Sequence, residues 1–271
     1  MIILTPVDFS KCAGNALKYA SGLAELAKAK LLLHHVYTEE DEGLDRTRAN
    51  EIKKSLAVFY TGYGNKYPEV ELNVQESPDI TGLAYHPLIK QIDFIVMGTK
   101  GASPLKSVFV GSNTVKLMDS ITKPLIVVPE GSNIPEKGKP ILLLTDYNPT
   151  ENLHVFDPLL NLAKLLNSEI VILHVKKQGA RYEMYQVVEK NRMEIYFDEK
   201  VKHRRETAFH GDLENGVNTY LRENNYQMIC MIHHEHSVID NLFKRNQTHE
   251  MAFHSNTPLL ILNKRDVYSR N

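Results

Sequence analysis

The sequence predicts an α/β fold of two tandem domains, each a five-stranded parallel sheet with helices on both faces. Three observations indicate this. Short apolar runs alternate with amphipathic stretches along the 271 residues, as in chains of βαβ units. Most runs are continuously apolar, as strands covered on both faces require. The whole pattern also occurs twice, which predicts two copies of one domain.

The repeat is visible as three pairs of similar segments. They are residues 92–101 with 226–235, 121–128 with 255–262, and 23–36 with 160–175. The offset is 134 residues for the first two pairs and reaches 139 for the third, as expected when small insertions fall in surface loops. A polar segment with Gly and Pro, residues 131–139, separates the copies. We therefore place the two domains at 1–131 and 139–271.

Apolar runs predict five strands in each copy. In the first copy they are residues 2–7, 31–36, 70–74, 92–97 and 124–128. The segment 70–74 alternates apolar and polar residues, which is typical of an edge or half-buried strand. In the second copy the strands are expected near 140–145, 169–175, 205–209, 226–232 and 258–262.

Four helices are predicted between the strands of the first copy, at 11–29, 47–66, 78–90 and 112–120. Apolar residues recur at helical spacing in the first of them. Ser77 as N-cap and Pro78 in the first turn predict the start of the third, and Pro87 is expected to shorten or kink it. The last helix stops before Pro124.

Composition excludes several classes of protein. The 32 Lys and Arg residues balance 33 Asp and Glu, so no net charge drives binding to nucleic acid or to an anionic membrane. No run of about 18 apolar residues could span a membrane. The start reaches Pro6 and Asp8 too soon for a secretory signal, and two cysteines, Cys12 and Cys230, make no disulfide framework. These features predict a cytoplasmic protein.

The fourth strand of the first copy runs into two glycine clusters. Gly98 and Gly101 follow the strand, and nine residues later Gly111 and Ser112 open a helix. Glycines let backbone N–H groups approach phosphate oxygens, and a helix N-terminus adds unpaired donors. Lys100 adds positive charge. The same spacing also fits two glycine turns around a surface loop, so the residues alone leave both interpretations open.

Several motifs in the same order resemble the universal stress protein family. They are PVDFSKCAGNALKYA at 6–20, HVY at 35–37, Gly98-x2-Gly101-x9-Gly111-Ser112, and KPLIVVP at 123–129. The likeness covers nearly all of residues 1–130. It implies a Rossmann-like fold of the adenine nucleotide alpha hydrolase-like type. It also implies bound ATP, or another adenine nucleotide, with Mg2+ on its phosphates.

The resemblance also implies a role for each matching residue. Asp8 would bond the ribose or adenine region, with Pro6 beside it. Val36 would present its backbone to the adenine, and Met97 would pack nearby. The residues expected to line the phosphates are Gly98, Lys100, Gly101, Gly111, Ser112, Asn113 and Thr114.

The second copy departs from this motif. At the offset of 134, the glycines and the serine at 98, 101, 111 and 112 become Ile232, Glu235, Arg245 and Asn246. Side chains would fill the space that glycines leave open, and a glutamate would repel phosphate. Asp146 keeps the counterpart of Asp8. We therefore predict one nucleotide per chain, in the first copy.

The resemblance implies a sensor or regulator in the stress response, whose nucleotide state changes its protein partners. Two alternatives stay open: slow ATP hydrolysis or phosphoryl transfer, and a nucleotide-free interaction scaffold. An enzyme needs a residue that positions water or accepts a phosphoryl group. The first copy's motifs hold one strand-end carboxylate, Asp8, at the expected adenosine end. The family also dimerises through its fifth strands, which implies an intramolecular pseudo-dimer through 124–128 and 258–262, with a homodimer possible.

Histidines form two further groups. His34, His35 and His174 stand at predicted strand ends, where packing is the favoured role. His234 and His236 are two residues apart, so on an extended segment both would point toward one metal ion. No third ligand is fixed by spacing, and an ordinary polar loop is the favoured interpretation.

Overall fold

The computed structural model describes residues 1–37, 46–63, 70–99, 112–233 and 256–263. This part of the chain divides into two compact units, the first ending at Pro135 and the second beginning at Glu136. Each unit carries one five-stranded parallel sheet with helices between its strands. The predicted α/β fold is therefore confirmed for both copies.

The first unit has eight regular elements. They are β1 (Ile2–Pro6), α1 (Lys11–Ala27), β2 (Lys30–Tyr37), α2 (Arg46–Tyr63), β3 (Val70–Glu76), β4 (Phe94–Gly98), α3 (Ser112–Ser120) and β5 (Leu125–Val128). The strand order is β3-β2-β1-β4-β5, with every described pair parallel. The half-buried β3 lies at the end of this order, as its alternating sequence predicted.

Helix α1 forms because its sequence supplies both a cap and an apolar face. The Ser10 hydroxyl accepts a hydrogen bond from the Ala13 backbone N–H at 3.1 Å, which satisfies one free donor of the first turn. Leu17 and Leu23 are fully buried on the inner face. The helix ends at Lys28, which adopts a left-handed conformation with φ of 49°.

The α-helix predicted over 78–90 is wrong. Two 3-10 helices occupy this stretch, at Ile80–Tyr85 and Ile89–Gln91. His86 between them has extended backbone, with ψ of 134°. Because Pro87 follows it, the ring of the proline disfavours the α conformation at His86. The proline therefore breaks the helix instead of kinking it.

The predicted cap of this stretch is also wrong. Asp79 caps it in place of Ser77, and its carboxylate accepts a hydrogen bond from the Thr81 backbone N–H at 2.9 Å. Lys116 of α3 contacts the same carboxylate at 2.9 Å. The hydrogen bonds from Thr81 and Lys116 lower the pKa of Asp79 to about 2. An aspartate one residue after Pro78 was the better cap in the sequence.

The described residues of the second unit also form eight α-helices and β-strands, besides a 3-10 helix at Leu153–Phe156. They are β6 (Ile141–Leu144), α4 (Asp157–Leu166), β7 (Ile170–Lys176), α5 (Met184–Asp198), β8 (His203–Phe209), α6 (Leu213–Glu223), β9 (Met228–His233) and β10 (Leu259–Asn263). The order is β10-β9-β6-β7-β8, again parallel throughout the described pairs. No helix in the described ranges is long and apolar enough to cross a membrane.

The repeat extends to unusual backbone conformations. Phe9 and Tyr147 follow the first strand of their units, and both have positive φ, at 61° and 55°. The caps that end α1 and α4, Lys28 and Asn167, have φ of 49° and 50°. Non-glycine residues rarely adopt this region, so its recurrence at equivalent points supports two copies of one fold.

Candidate functional site

The carboxyl ends of β2, β1 and β4 lie at one edge of the first sheet, because these strands are parallel neighbours in that order. In folds of this kind, ligands bind beyond that edge. β1 ends at Pro6, and β4 ends at Gly98. The described candidate residues that the fold brings to this edge are Pro6, Asp8, Val36, Met97 and Gly98.

Asp8 is an exposed carboxylate at this edge. One of its oxygens accepts a hydrogen bond from the Ser10 backbone N–H at 3.0 Å, which shapes the turn into α1. The aspartate therefore has a structural partner already and presents the rest of its carboxylate to solvent.

Gly98 is required by the packing of α1 against β4. A Cβ atom at this position would lie 2.4 Å from the Cys12 carbonyl oxygen and 2.7 Å from its carbon. The first turn of α1 thus lies directly against the end of β4. Met97 beside it is 7% exposed and belongs to the core.

Helix α3 supplies the remaining described candidates. Ser112 and Asn113 are exposed at its start, whereas Thr114 is 1% exposed. The first backbone N–H groups of a helix lack partners within the helix, so this end can donate to an anion. Three other predicted site residues, Lys100, Gly101 and Gly111, lie outside the described residues.

Both units place a histidine against the turn after their first strand. The Nδ1 atom of His35 donates to the Val7 carbonyl oxygen at 2.6 Å. Its ring lies 4.9 Å from that of Phe9, the residue with positive φ. The donor to a carbonyl must carry the proton, so the contact fixes which nitrogen is protonated.

The second unit repeats this arrangement. The Nδ1 atom of His174 donates to the Thr145 carbonyl oxygen at 2.9 Å, and its ring lies 5.1 Å from that of Tyr147. Burial lowers the pKa of His174 and raises the pKa of Tyr147 to about 12, so both rings are neutral near pH 7. The predicted packing role omitted the hydrogen bond. The offset of 139 between the two histidines was the signal for it.

A cavity of about 270 Å³ lies at the carboxyl ends of β6 and β7. Its lining combines apolar side chains with Asp146, His174, Lys176 and Arg181. The ammonium group of Lys176 is held near it, because it donates to the Ala180 carbonyl at 3.2 Å and lies 4.1 Å from the Tyr182 ring centroid.

Ile232 lies near the end of β9 in the second unit. This residue, the counterpart of Gly98, lines a space of only about 10 Å³ with Phe156 and Met193. Four residues (7–10) separate β1 from α1, whereas twelve (145–156) separate β6 from α4. A 3-10 helix, Leu153–Phe156, forms the last part of the longer connection and runs directly into α4.

The degenerate loop of the second copy lies largely outside the described residues. Glu235, Arg245 and Asn246 fall there, as do His234 and His236, so the metal hypothesis for these two histidines stays a prediction.

The fold and these sheet edges define a tandem Rossmann-like α/β protein. A model of the universal stress protein family matches residues 1–129 and 138–263. The chain therefore belongs to the universal stress protein family, and each unit corresponds to one match.

Three known proteins are similar to all or part of this chain. Universal stress protein MJ0577 of Methanocaldococcus jannaschii is 26% identical over 155 residues, which cover 46% of this chain and 93% of that protein. A universal stress protein from Archaeoglobus fulgidus superposes with a TM-score of 0.71 at 16% identity, over 97% of this chain and 98% of its own. A universal stress protein in complex with cAMP matches 47% of this chain and 96% of its own, with a TM-score of 0.38 and 15% identity.

Proposed function

We propose that this chain is a cytoplasmic adenine nucleotide-binding protein that acts as a sensor or regulator in the stress response. The first unit would bind ATP, or another adenine nucleotide, and the bound state would change the protein partner. The observation that carries the proposal is the glycine motif of the first copy, which follows β4 and opens α3 in a chain that belongs to the family.

The described residues of the first edge fit an adenine nucleotide. The exposed carboxylate of Asp8 can accept hydrogen bonds from ribose hydroxyls while it keeps its bond from Ser10. Val36 lies near the end of β2, where its backbone borders the same edge. Apolar surface beside a few polar groups is typical of small-molecule sites.

The start of α3 fits the phosphate end of the ligand. Ser112 and Asn113 are exposed there and offer side-chain donors besides the free backbone N–H groups. Lys100, Gly101 and Gly111 are proposed to complete this end. Mg2+ would neutralise phosphate charge when bound, and it would take most of its ligands from phosphate and water.

Binding, and not turnover, is the activity that these residues support. Phosphoryl transfer needs a group that orients water or receives phosphate. The candidate carboxylate, Asp8, is assigned to the adenosine end. Slow hydrolysis and a nucleotide-free scaffold remain the alternatives to test.

Two family segments in one chain fit an intramolecular pair of domains. We extend the proposal to pairing through the strands at 124–128 and 258–262, and to a further homodimer. We also propose a protein partner whose binding depends on the nucleotide state of the first unit.

The proposal is tested by denaturing the purified full chain and identifying any released nucleotide by chromatography. We expect adenine nucleotide near one per chain, and its loss in Gly111→Arg, which introduces the residue of the second copy. Gly98→Ile is unsuitable as a test, because its side chain would displace the Cys12 backbone and perturb folding.

A matched pair of variants tests which copy binds. Asp8→Asn should weaken ATP affinity in calorimetry by about tenfold, in line with loss of a charged hydrogen-bond acceptor. Asp146→Asn changes the equivalent residue and should leave affinity unchanged. Absence of released nucleotide together with absence of ATP binding in the presence of Mg2+ overturns the proposal and favours the scaffold. Steady formation of ADP favours the enzyme.

A further inference from the structure

Three side chains with acceptor atoms converge between α5 and β8. Glu194 and Asp198 are one helical turn apart near the end of α5, and His203 is the first residue of β8. His203 Nε2 lies 3.5 Å from Glu194 Oε2 and 3.8 Å from Asp198 Oδ1. One ligand atom from each residue lies within 4.8 Å of the others.

The proton on His203 is assigned to the other ring nitrogen. Nδ1 lies 3.2 Å from the Val201 carbonyl oxygen, and only a protonated nitrogen can donate to a carbonyl. In the neutral ring, Nε2 therefore carries a lone pair that faces the two carboxylates. Metal-binding histidines show this pattern, in which one nitrogen donates to a carbonyl and the other is free for the ion.

Burial of Glu194 Oε2 and His203 makes these facing acceptors costly unless positive charge offsets them, and the Arg205 guanidinium, 3.1 Å from Glu194 Oε2, offsets one of the two carboxylate charges. The His203 side chain is only 6% exposed. Glu194 Oε2 is buried and receives no well-formed hydrogen bond within the described ranges. Unpaired buried acceptors are unfavourable, and two carboxylates facing a lone pair add electrostatic repulsion.

We propose that Glu194, Asp198 and His203 bind a divalent transition-metal ion, with Zn2+ as the best match. One imidazole and two carboxylates suit zinc, with ligand distances of about 2.0–2.2 Å. Tetrahedral ligands at that distance are separated by about 3.4 Å. The contacts of 3.5 and 3.8 Å around Nε2 are close to this separation, and all three ligand atoms lie within 4.8 Å of one another, so side-chain adjustment of about 1 Å would bring them to the ion.

The surroundings predict a moderate affinity and an open coordination position. Arg205 Nε lies 3.1 Å from Glu194 Oε2 and already balances part of the carboxylate charge. Asp198 is 62% exposed, so water can reach the ion and complete its coordination. The ion would join the end of α5 to β8, the last strand in the order of the second sheet.

The test measures zinc binding to the metal-stripped full chain by equilibrium dialysis and elemental analysis. A double variant, His234→Gln with His236→Gln, removes the other histidine pair as a source of binding. We expect about one zinc per chain in this background, and visible d–d absorption when Co2+ replaces Zn2+. Asp198→Asn should weaken binding at least about tenfold, because even indirect contacts to a metal ligand have effects of that size.

Glu199→Gln is the matched control, because it removes a neighbouring exposed carboxylate that is outside the cluster, and it should bind zinc normally. His203→Gln should also lose binding. Asp198→Asn keeps the test informative if the buried His203→Gln variant fails to fold. Absence of stoichiometric zinc, or equal zinc binding in Asp198→Asn, would mean that the cluster does not hold the ion and would overturn the proposal.

Discussion

His34 is a buried titratable residue without a good hydrogen-bond partner. Its side chain is fully buried in β2, and both ring nitrogens lack a well-formed hydrogen bond among the described residues. Its ring lies 4.8 Å from that of His86. Burial, with a smaller contribution from His86, lowers the pKa of His34 to about 4. The folded protein therefore holds the neutral ring.

This residue makes stability depend on pH. The folded pKa is below the unfolded value near 6.5, so the contribution is fully present above that pH and is lost as pH falls toward 4. We expect His34 alone to lower the free energy of unfolding by about 2 kcal/mol between pH 7 and pH 5. Urea denaturation at both pH values measures it.

His34→Leu should flatten this pH dependence, whereas His210→Gln, at a half-exposed site, should retain it. Equal pH dependence in wild type and His34→Leu would contradict the assignment. The sequence predicted a packing role for His34, and the complete burial of its side chain agrees with that prediction. The lowered pKa could not be predicted, because it depends on His86 and on complete burial, which only the folded chain defines.

Helix α5 packs with an unusual distribution of residues. Met184, Val188 and Ile195 are 77%, 51% and 76% exposed, whereas Glu189 is 1% exposed. Glu189 accepts a hydrogen bond from the Thr150 backbone N–H at 3.0 Å. The buried carboxylate thus fastens α5 to the loop after β6.

A second side chain of α5 completes this attachment. Arg192 donates to Glu189 at 2.7 Å and to the Thr150 carbonyl oxygen at 3.1 Å. Side chains of α5 therefore bind both the backbone N–H and the carbonyl oxygen of Thr150 in this loop. Because the anchor uses charged residues, a hydrophobic pattern cannot reveal it.

Glu189→Ala should lower the free energy of unfolding by about 1–3 kcal/mol, because it leaves a buried backbone N–H and a guanidinium without their acceptor. Denaturant unfolding measures the loss. Glu199→Ala removes an exposed carboxylate at the end of the same helix and should change stability by less than about 0.5 kcal/mol. A loss of unfolding free energy in Glu189→Ala as small as that in Glu199→Ala would show that the contacts of Glu189 do not stabilise the fold.

Elements differ in how well the sequence defines them. Continuous apolar runs predicted most strands to within a few residues, because burial on both faces leaves a strong pattern. The strands β3 and β8 are only partly buried and lack such a run. The stretch 78–90 was predicted as one helix that Pro87 would shorten or kink, but the proline disfavours the α conformation at His86, and two 3-10 helices form instead. The nearby choice between Ser77 and Asp79 as a cap depended on side-chain geometry, which the spacing did not contain.

At the scale of the whole molecule, the repeat was the most informative feature of the sequence. It predicted two copies of one fold, and the family match to two segments agrees. Comparison of the two copies predicted only part of the candidate site. The sequence marked Gly98 by its motif, but its contact with the backbone of Cys12 appears only when α1 and β4 pack.

The two proposed ligands belong to different units, so their effects should be separable. A ligand at 100 times its Kd stabilises the folded state by about 2.7 kcal/mol. In calorimetric melting, the stabilisation by ATP with Mg2+ should disappear in Gly111→Arg and persist in Asp198→Asn. Stabilisation by zinc should show the opposite dependence. Loss of both effects in either variant would contradict two independent sites.

The longer connection between β6 and α4 has a consequence for the engineering of this chain. Eight residues (145–152) lie between β6 and the 3-10 helix Leu153–Phe156 that runs into α4, and Ile232 near the end of β9 lines a small space with Phe156 and Met193. Reintroducing glycines alone would then open a void without rebuilding a cradle for phosphate. A phosphate site in the second copy would therefore require a shorter connection and repacked neighbouring side chains as well as glycines.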